Sequence, residues 1–296
     1  MTDISSQLST GAEATSDANK NPKGRLRTNR RGKIKIATQS KSTVVIKVTA
    51  ITLLALTVYG FLTFDYRGIN FFEATVDTLR NAMIMFTQPA LTHVTFVGLL
   101  NALVSTFSMA FLATLFGAVI AFFGSLACAQ NIANAKVSLV VRSIAAYIRA
   151  VPTILLVLIF VIAAGQLGSV PAVAALTLAA ASYLVKAYSE SIEEMDYGCI
   201  EALKASGAGY WQIVFQAIVP ASISYLIAWT FLRLEISFTQ AIIFGAAAGA
   251  GGIGYYLFMA GNFYFDLREL GFITLVCAVA AILLEMVATR VKAHAK

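Results

Sequence analysis

The chain has 296 residues, of which 58% are hydrophobic and 12% charged, with a mean hydropathy of +0.77. A soluble domain carries about 25% charged residues, so this chain lacks the polar surface to cover a water-facing globule, and its apolar residues come in blocks of the roughly 17–25 residues that cross a bilayer. The formal charge of +7 does not indicate nucleic-acid binding: ten of the 22 Lys and Arg fall between Lys20 and Lys47 with no aromatic platform among them, and a basic flank marks the cytoplasmic side of a membrane protein.

Residues 1–42 are rich in Ser, Thr, Asn, Lys and Arg and poor in apolar anchors, which predicts a disordered basic cytoplasmic tail; its forty polar residues are too many for the charged region of a signal peptide. A first span is expected from Val44 to Phe64, with Lys47 snorkelling to the inner interface. Asp65, Arg67, Glu73, Asp77 and Arg80 mark a polar, partly amphipathic external segment ending near Pro89; with the first span it forms a unit over 43–94. The core of the protein is expected over 95–290. Span two covers Leu99–Ala129, and Asn131–Arg142 is an internal connection. Span three runs from Ile144 to Ala164 and contains Arg149 and Pro152, a turn follows at Gly165–Ser169, and span four runs from Pro171 to Tyr188. A charged stretch, Ser189–Gln212, leads into span five, Ile213–Ser237. A glycine- and aromatic-rich external segment, Gly245–Glu269, precedes span six, Leu270–Thr289, and a short basic cytoplasmic tail, 291–296.

Six spans put both termini on one side. The N-terminal tail, Lys136, Arg142, Lys204 and the C-terminal tail then fall inside, leaving Arg67, Arg80 and Arg268 outside, so the charge bias agrees with the span count. The fold class is an all-α membrane protein of about six transmembrane helices. Cys128, Cys199 and Cys277 form no CxxC or Cys/His set and read as small apolar residues, with no disulfide or zinc site implied. His93, beside a membrane entry, and His294, in the basic tail, have no partner residues in the sequence pattern and read as incidental.

The most informative segment is the internal loop between spans four and five. Glu190–Ser206 has good helix formers and is expected to be one short polar helix, ended by Gly207 and Gly209, since glycine accepts left-handed backbone angles. The chain then re-enters the membrane with Pro220 in the first turns of span five. Helix, glycine turn and return make a compact knob facing the cytoplasm; alone, this is also the pattern of an ordinary glycine-ended helix. The spacing resembles the EAA loop of ABC importer permeases: Glu201, Ala202, Gly207 and Pro220 match its pattern, while Leu203, Ala217 and Val219 depart from it with small or apolar residues. Three further segments occur in the same order: Ile148-Arg149-Ala150-Val151-Pro152, Leu184-Val185-Lys186 with Ser189-Glu190-Ser191-Ile192-Glu193-Glu194, and Gly249-Ala250-Gly251-Gly252-Ile253-Gly254. Together they resemble the phosphonate-type permeases of that family over residues 95 to 290. The resemblance implies a coupling loop at Glu201, Ala202, Leu203, Gly207 and Pro220 that docks on a cytoplasmic ATP-hydrolysing subunit. It also implies an extracytoplasmic substrate-binding protein as partner, and phosphonate, phosphate or phosphite as cargo. One departure stands out: where that family carries Glu-x-Asn-x-Arg, this chain has Glu235-Ile236-Ser237-Phe238-Thr239, which leaves the anion open.

Charged groups inside spans cost at least about 2.5–3.5 kcal/mol at mid-bilayer and therefore face protein or water. Arg149, Lys186, Arg233 and Glu235 are accordingly candidates for a translocation pathway, with snorkelling to the interface the alternative for Arg149 and Lys186 and an interfacial role expected for Glu285. Arg233 and Glu235 lie about 200° apart around a helix and need separate partners. Gly249, Gly251, Gly252 and Gly254 spell the GxGxxG dinucleotide fingerprint, but they follow a membrane span and not a strand, so no cofactor is expected. They are expected either to form a re-entrant, gate-adjacent turn or simply to allow close helix packing. With no Walker Lys-Ser/Thr after any glycine loop, the chain is not expected to be an enzyme; neither catalytic residues nor metal ligands are assigned. One set of five to six core helices rarely encloses a pathway, so a second copy of the chain is an expected partner alongside the bilayer. The competing readings are a permease for another small solute and, from a different class, an ion-coupled secondary transporter; against the latter, no acidic pair sits mid-span and no inverted repeat is visible.

Overall fold

The computed structural model describes residues 41–63 and 70–294. Nearly all of the basic N-terminal tail, Asp65 and Arg67 of the external segment, and the end of the C-terminal tail lie outside the described residues. Among the described residues every regular element is a helix. The chain divides at Asn70 into two units. The first holds α1 (Lys41–Thr63), whose Thr52, Thr57 and Thr63 hydroxyls each donate to the carbonyl four residues back, so these three hydroxyls are satisfied within the helix, as a lipid environment favours.

The second unit contains α2 (Phe71–Thr87), α3 (Phe96–Cys128), α4 (Ala135–Ala150), α5 (Thr153–Ala164), α6 (Ser169–Glu193), α7 (Tyr197–Ala205), α8 (Tyr210–Ala247), α9 (Gly252–Phe258) and α10 (Leu267–His294). Helices α1, α3, α6, α8 and α10 are long and apolar enough to cross a bilayer, and α4 with α5 passes that test only as a pair, giving five spans or six. Predicted spans four, five and six are all embedded in longer helices, with α8 running ten residues past Ser237. Hydropathy marks where lipid ends, whereas a helix continues until a cap or a glycine stops it. For the same reason α10 carries on to His294, into the predicted tail.

The centre of the unit is the α3–α6 pair. Small residues let the two backbones touch: a Cβ on Gly117 would sit 2.6 Å from the Ala180 Cβ and 3.1 Å from the Ala181 amide nitrogen, and Ala113 and Ala121, one turn to either side, are fully buried. Helix α8 packs across both. Its Phe238 and Phe244 are buried with Leu156, Val157 and Leu176 in the largest apolar cluster.

Two prolines produce opposite outcomes. Predicted span three is not one helix: the chain turns by 92° between α4 and α5. Val151, held extended at φ −80° and ψ 123°, shows why, since a residue before proline is pushed out of the helical region. Pro220, by contrast, lies inside continuous α8. There the helix widens to a π turn over Val214–Ile218, in which the Val219 N–H donates to the Val214 carbonyl, and the ring is admitted without a break.

At the end of the unit where α3 and α10 begin, Glu269 is fully buried and acts as a clasp. Its Oε1 accepts the backbone N–H of His93 and of Val94, both at 2.9 Å, and its Oε2 lies 2.8 Å from His93 Nδ1. Tyr264 stacks on the His93 ring at 3.9 Å. Thus His93, expected to be incidental, anchors the loop that precedes α3. Asp266 caps α10 by accepting the N–H of Arg268 and Glu269; the Thr92 hydroxyl, ahead of those two N–H groups, holds its carboxyl below the usual carboxylate range. Asp266, Glu269 and His93 each place one oxygen or nitrogen within 4.8 Å of the others, but Glu269 already has its Oε1 on backbone N–H groups and its Oε2 on the His93 ring. Replacing Glu269 by Ala should strand buried N–H groups at about 1–3 kcal/mol each. Thermal unfolding in detergent should show a drop of several degrees for Glu269→Ala and a smaller one for Glu269→Gln; an unchanged midpoint would mean the clasp contributes nothing.

Candidate functional site

Four features with functional potential were marked in the sequence, and the structure gathers them into three places. The first is the knob between α6 and α8. The expected single helix over Glu190–Ser206 is in fact interrupted: α6 ends at Glu193, and Asp196 starts α7 by accepting the Gly198 N–H at 3.0 Å. An Asp that can bond the backbone two residues on competes with helix continuation. Helix α7 then ends at Gly207, which has φ +82°. The Ala208 N–H donates to the Leu203 carbonyl at 3.0 Å and the Gly207 N–H to the Lys204 carbonyl at 3.1 Å, the paired bonds of a Schellman turn. Leu203 and Ala208 close it by packing on Ile200, Ile213 and Val214. Gly209, expected to help end the helix, instead has φ −72° and starts α8, donating its N–H to Gln212 Oε1 at 2.7 Å.

Of the predicted loop residues, then, Leu203 is the one that faces the core, while Glu201, Ala202 and Gly207 are exposed. The knob is tied to the bundle by Arg142 of α4, which pairs with Glu193 at the end of α6; Glu193 also accepts the Gln130 N–H at 2.6 Å. A cavity of about 820 Å³ opens beside it, lined by Glu194, Asp196, Ala202, Gln216 and Pro220. Cys199, assigned to apolar packing from its sequence context, is exposed on that cavity.

The second place is mid-span. Arg233 is 5% exposed, its guanidinium donates to Gln240 Oε1 at 3.1 Å and lies 5.6 Å over the Tyr183 ring. Its Nε has no acceptor. With Arg149 it lines a cavity of about 210 Å³ at the α4–α5 break. Arg149 donates to the Ser182 carbonyl at 2.6 Å and also lines a second cavity of about 200 Å³ that reaches Lys186 and Arg142. Lys186 pairs with Glu190 one turn on, at 3.6 Å. Glu235 is half-buried and lines neither cavity, so the four predicted pathway residues separate into three clustered cations and one acid apart from them. The sequence signal that could have grouped Arg149 with Arg233 is Pro152, because it bends the chain so that the end of α4 faces α8.

The third place is the glycine segment. Gly249, Gly251 and Gly252 have φ between +60° and +79°, and a Cβ on Gly254 would fall on the Ile242 carbonyl oxygen of α8. The Ile253 N–H donates at 2.9 Å to buried Thr106 of α3, whose hydroxyl donates back to Ala102. These glycines bring α9 into backbone contact with α8 and against the Thr106 and Met109 side chains of α3, the close packing expected as one of their two roles.

This arrangement of a glycine-closed knob, a helix broken at mid-span and a small-residue helix core is that of a multi-pass membrane permease. Residues 113–295 match the model of the family described as "Binding-protein-dependent transport system inner membrane component", and the chain belongs to that family. It is 30% identical over 163 residues to the phosphate-import permease protein PhnE of Mycolicibacterium smegmatis, covering 55% of this chain and 30% of that one. It is 31% identical over 159 residues to the phosphite transport system permease protein PtxC of Stutzerimonas stutzeri, covering 53% and 57%. The probable D-methionine transport system permease protein MetI of Pasteurella multocida is 28% identical over 64% of this chain and 89% of its own. The matched region thus spans from under a third to just over half the length of the phosphate and phosphite relatives. Among solved structures, a chain of the inward-facing MetNI methionine ABC transporter superposes with a TM-score of 0.63 at 23% identity, covering 70% of this chain and all of that one. A chain of a bacterial ABC transporter involved in alginate import gives 0.56 at 15% identity, covering 86% and 98%. The fold is that of the ABC importer permeases.

Gly254→Ala should test the packing role. Its Cβ has no room against main chain, and overpacking costs about 1–3 kcal/mol, whereas a Cβ at Gly261 would meet only Leu270 side-chain carbons at 3.5 Å or more. Unfolding in detergent should therefore show a clear loss of stability for Gly254→Ala and almost none for Gly261→Ala; equal behaviour would remove the contact from the account.

Proposed function

We propose that this chain is the membrane-spanning subunit of an ATP-driven importer for phosphonate or a related oxyanion such as phosphate or phosphite, with α7 as the element that receives the motion of a cytoplasmic ATPase. The observation that carries the reading is the knob: Glu201, Ala202 and Gly207, exposed on a short helix whose end is fixed by a Schellman turn and whose base is pinned by Arg142–Glu193. A lever must be small, firmly closed and solvent-facing, and this helix is nine residues long, ends in a hydrogen-bonded turn and exposes Glu201, Ala202 and Gly207. The phosphate- and phosphite-transport relatives support the choice of cargo. The methionine-transport relative supports a second reading, an amino-acid permease of the same design.

In this reading α7 and both termini face the cytoplasm, a second copy of the chain completes the pathway, and an extracytoplasmic binding protein delivers the substrate to the opposite face. The cations Arg149, Lys186 and Arg233 give the route a positive potential, with Glu235 beside it. The segment Gly249–Gly254, held tightly between α3 and α8, sits near the outer gate. The chain itself catalyses nothing; hydrolysis belongs to the partner.

The orientation has a direct check. Reporter fusions after Arg80, Gly168 and Tyr264 should read as external, and fusions after Lys136, Gly207 and Lys296 as internal, and one reporter on the wrong side would demand a different span count. The coupling claim turns on Gly207. No atom lies within 4 Å of where its Cβ would be, so Gly207→Val is resisted by backbone conformation alone, roughly 1–2 kcal/mol in the left-handed region. That is mild enough to leave an inserted protein. The variant should lose ATPase copurification or substrate-stimulated hydrolysis at normal membrane yield, and Glu201→Ala should weaken the same coupling less. Unimpaired coupling in Gly207→Val would leave α7 an ordinary loop helix.

A further inference from the structure

The cavity at the α4–α5 break has the composition of a binding site for a compact, multiply charged oxyanion. It is lined by two guanidiniums, Arg149 and Arg233, and by no carboxylate. Arg233 is the stronger observation. It sits halfway along α8, 5% exposed, with one nitrogen on Gln240 and its Nε without an acceptor. A guanidinium buried at that depth costs several kcal/mol unless it is paired, and no acidic side chain is placed to pair it among the residues that line the cavity.

A second, independent feature meets it there. Helix α5 begins at the cavity wall with Thr153, and its cap position is Pro152, which supplies no side-chain acceptor to its first turn. The N-terminal end of a twelve-residue helix carries free N–H groups and a partial positive charge, and both favour an anion. A helix broken within the membrane so that a half-helix aims its N-terminus into a cavity is a known way to hold an anionic group at mid-bilayer. The Thr153 hydroxyl accepts from Gln240 Nε2 at 3.4 Å, and Gln240 accepts in turn from Arg233, so one amide links the helix terminus to the buried cation. The volume of about 210 Å³ corresponds to about seven waters at roughly 30 Å³ each, enough for a four-oxygen anion with some of its hydration.

We infer that Arg233, Arg149 and the first turn of α5 form a mid-span subsite for a phosphate-class oxyanion, a free phosphate or the phosphonate head of a small organophosphonate. The inference rests on the importer reading above and sharpens its cargo. The same lining argues against an amino-acid zwitterion, because its ammonium group would meet two cations and no carboxylate. Apolar Ile148 and Leu156 on the cavity wall can receive a short alkyl group, which makes room for an organophosphonate as well as for phosphate.

The test uses the purified full-length chain in nanodiscs. Binding of radiolabelled inorganic phosphate is measured directly, with methylphosphonate, methionine and acetate as competitors. Saturable phosphate binding is expected, displaced by methylphosphonate and not by methionine or acetate. Arg233→Gln should weaken it tenfold or more, Arg233→Lys should restore part of it, and Thr153→Val should weaken it by a smaller factor. Should Arg233→Gln fail to insert, Arg149→Gln reads the other guanidinium and is also expected to weaken binding. Phosphate affinity unchanged in the Arg233 and Arg149 variants, or methionine competing as well as methylphosphonate, would overturn the subsite. Uptake in cells separates the two claims: parental phosphate or phosphonate uptake in Arg233→Gln sinks the subsite alone, whereas absence of any oxyanion uptake by the unaltered chain sinks the oxyanion reading on which it rests.

Discussion

Everything in the second unit is built on the contact between α3 and α6. In a bilayer no hydrophobic force drives one apolar helix against another, so association depends on how closely two backbones can approach. Gly117 and its flanking alanines remove the side chains that would hold α3 and α6 apart. With those two helices in contact, α8 can cross both, and its buried phenylalanines complete the core. The knob, the mid-span cavity and the glycine segment all lie where α8 or α6 leaves this seam.

The two candidate functional regions use the same constraint in different ways. A span must satisfy its own backbone hydrogen bonds, and any interruption has to be compensated locally. At Pro152 the interruption is complete, and it exposes a helix N-terminus to a cavity lined by arginines. At the end of α6 it is brief: Asp196 caps the next helix, and the Schellman turn closes it with the Gly207 and Ala208 N–H groups bonded back to α7. At the other end of the bundle, a single buried carboxylate, Glu269, serves as acceptor for a loop that has no helix of its own.

The family and the span count were legible in the sequence because they rest on hydropathy blocks and on four ordered motifs. Gly207 was legible for the same kind of reason, since a glycine after a polar helix announces a left-handed turn. What could not be read is everything that depends on a partner far along the chain. The link between His93 and Glu269 joins residues 176 positions apart, and nothing local in either segment signals it. The break at Pro152 was half legible: the proline was seen, yet a proline inside an apolar block can be absorbed or can snap the helix, and Pro220 shows the other outcome. Which occurs depends on whether a wide turn precedes the ring, and the π turn at Val214–Ile218 has no pattern that hydropathy can detect.

That wide turn has a consequence for the distant end of its helix. A π turn holds one residue more than an α turn, so it offsets the angular phase of all that follows. Deleting one residue from Val214–Ile218 would restore ordinary α-helix with the phase beyond it kept, whereas closing the same five residues up as α-helix without a deletion would swing the rest of α8 by about 100° about its axis. Arg233, fifteen residues beyond Ile218, would then be turned away from Arg149 and Tyr183 although no atom near it had been changed. The bearing of the buried guanidinium is thus set at the foot of the helix, next to the knob, and a one-residue slip in this turn would act as a crank between the two regions.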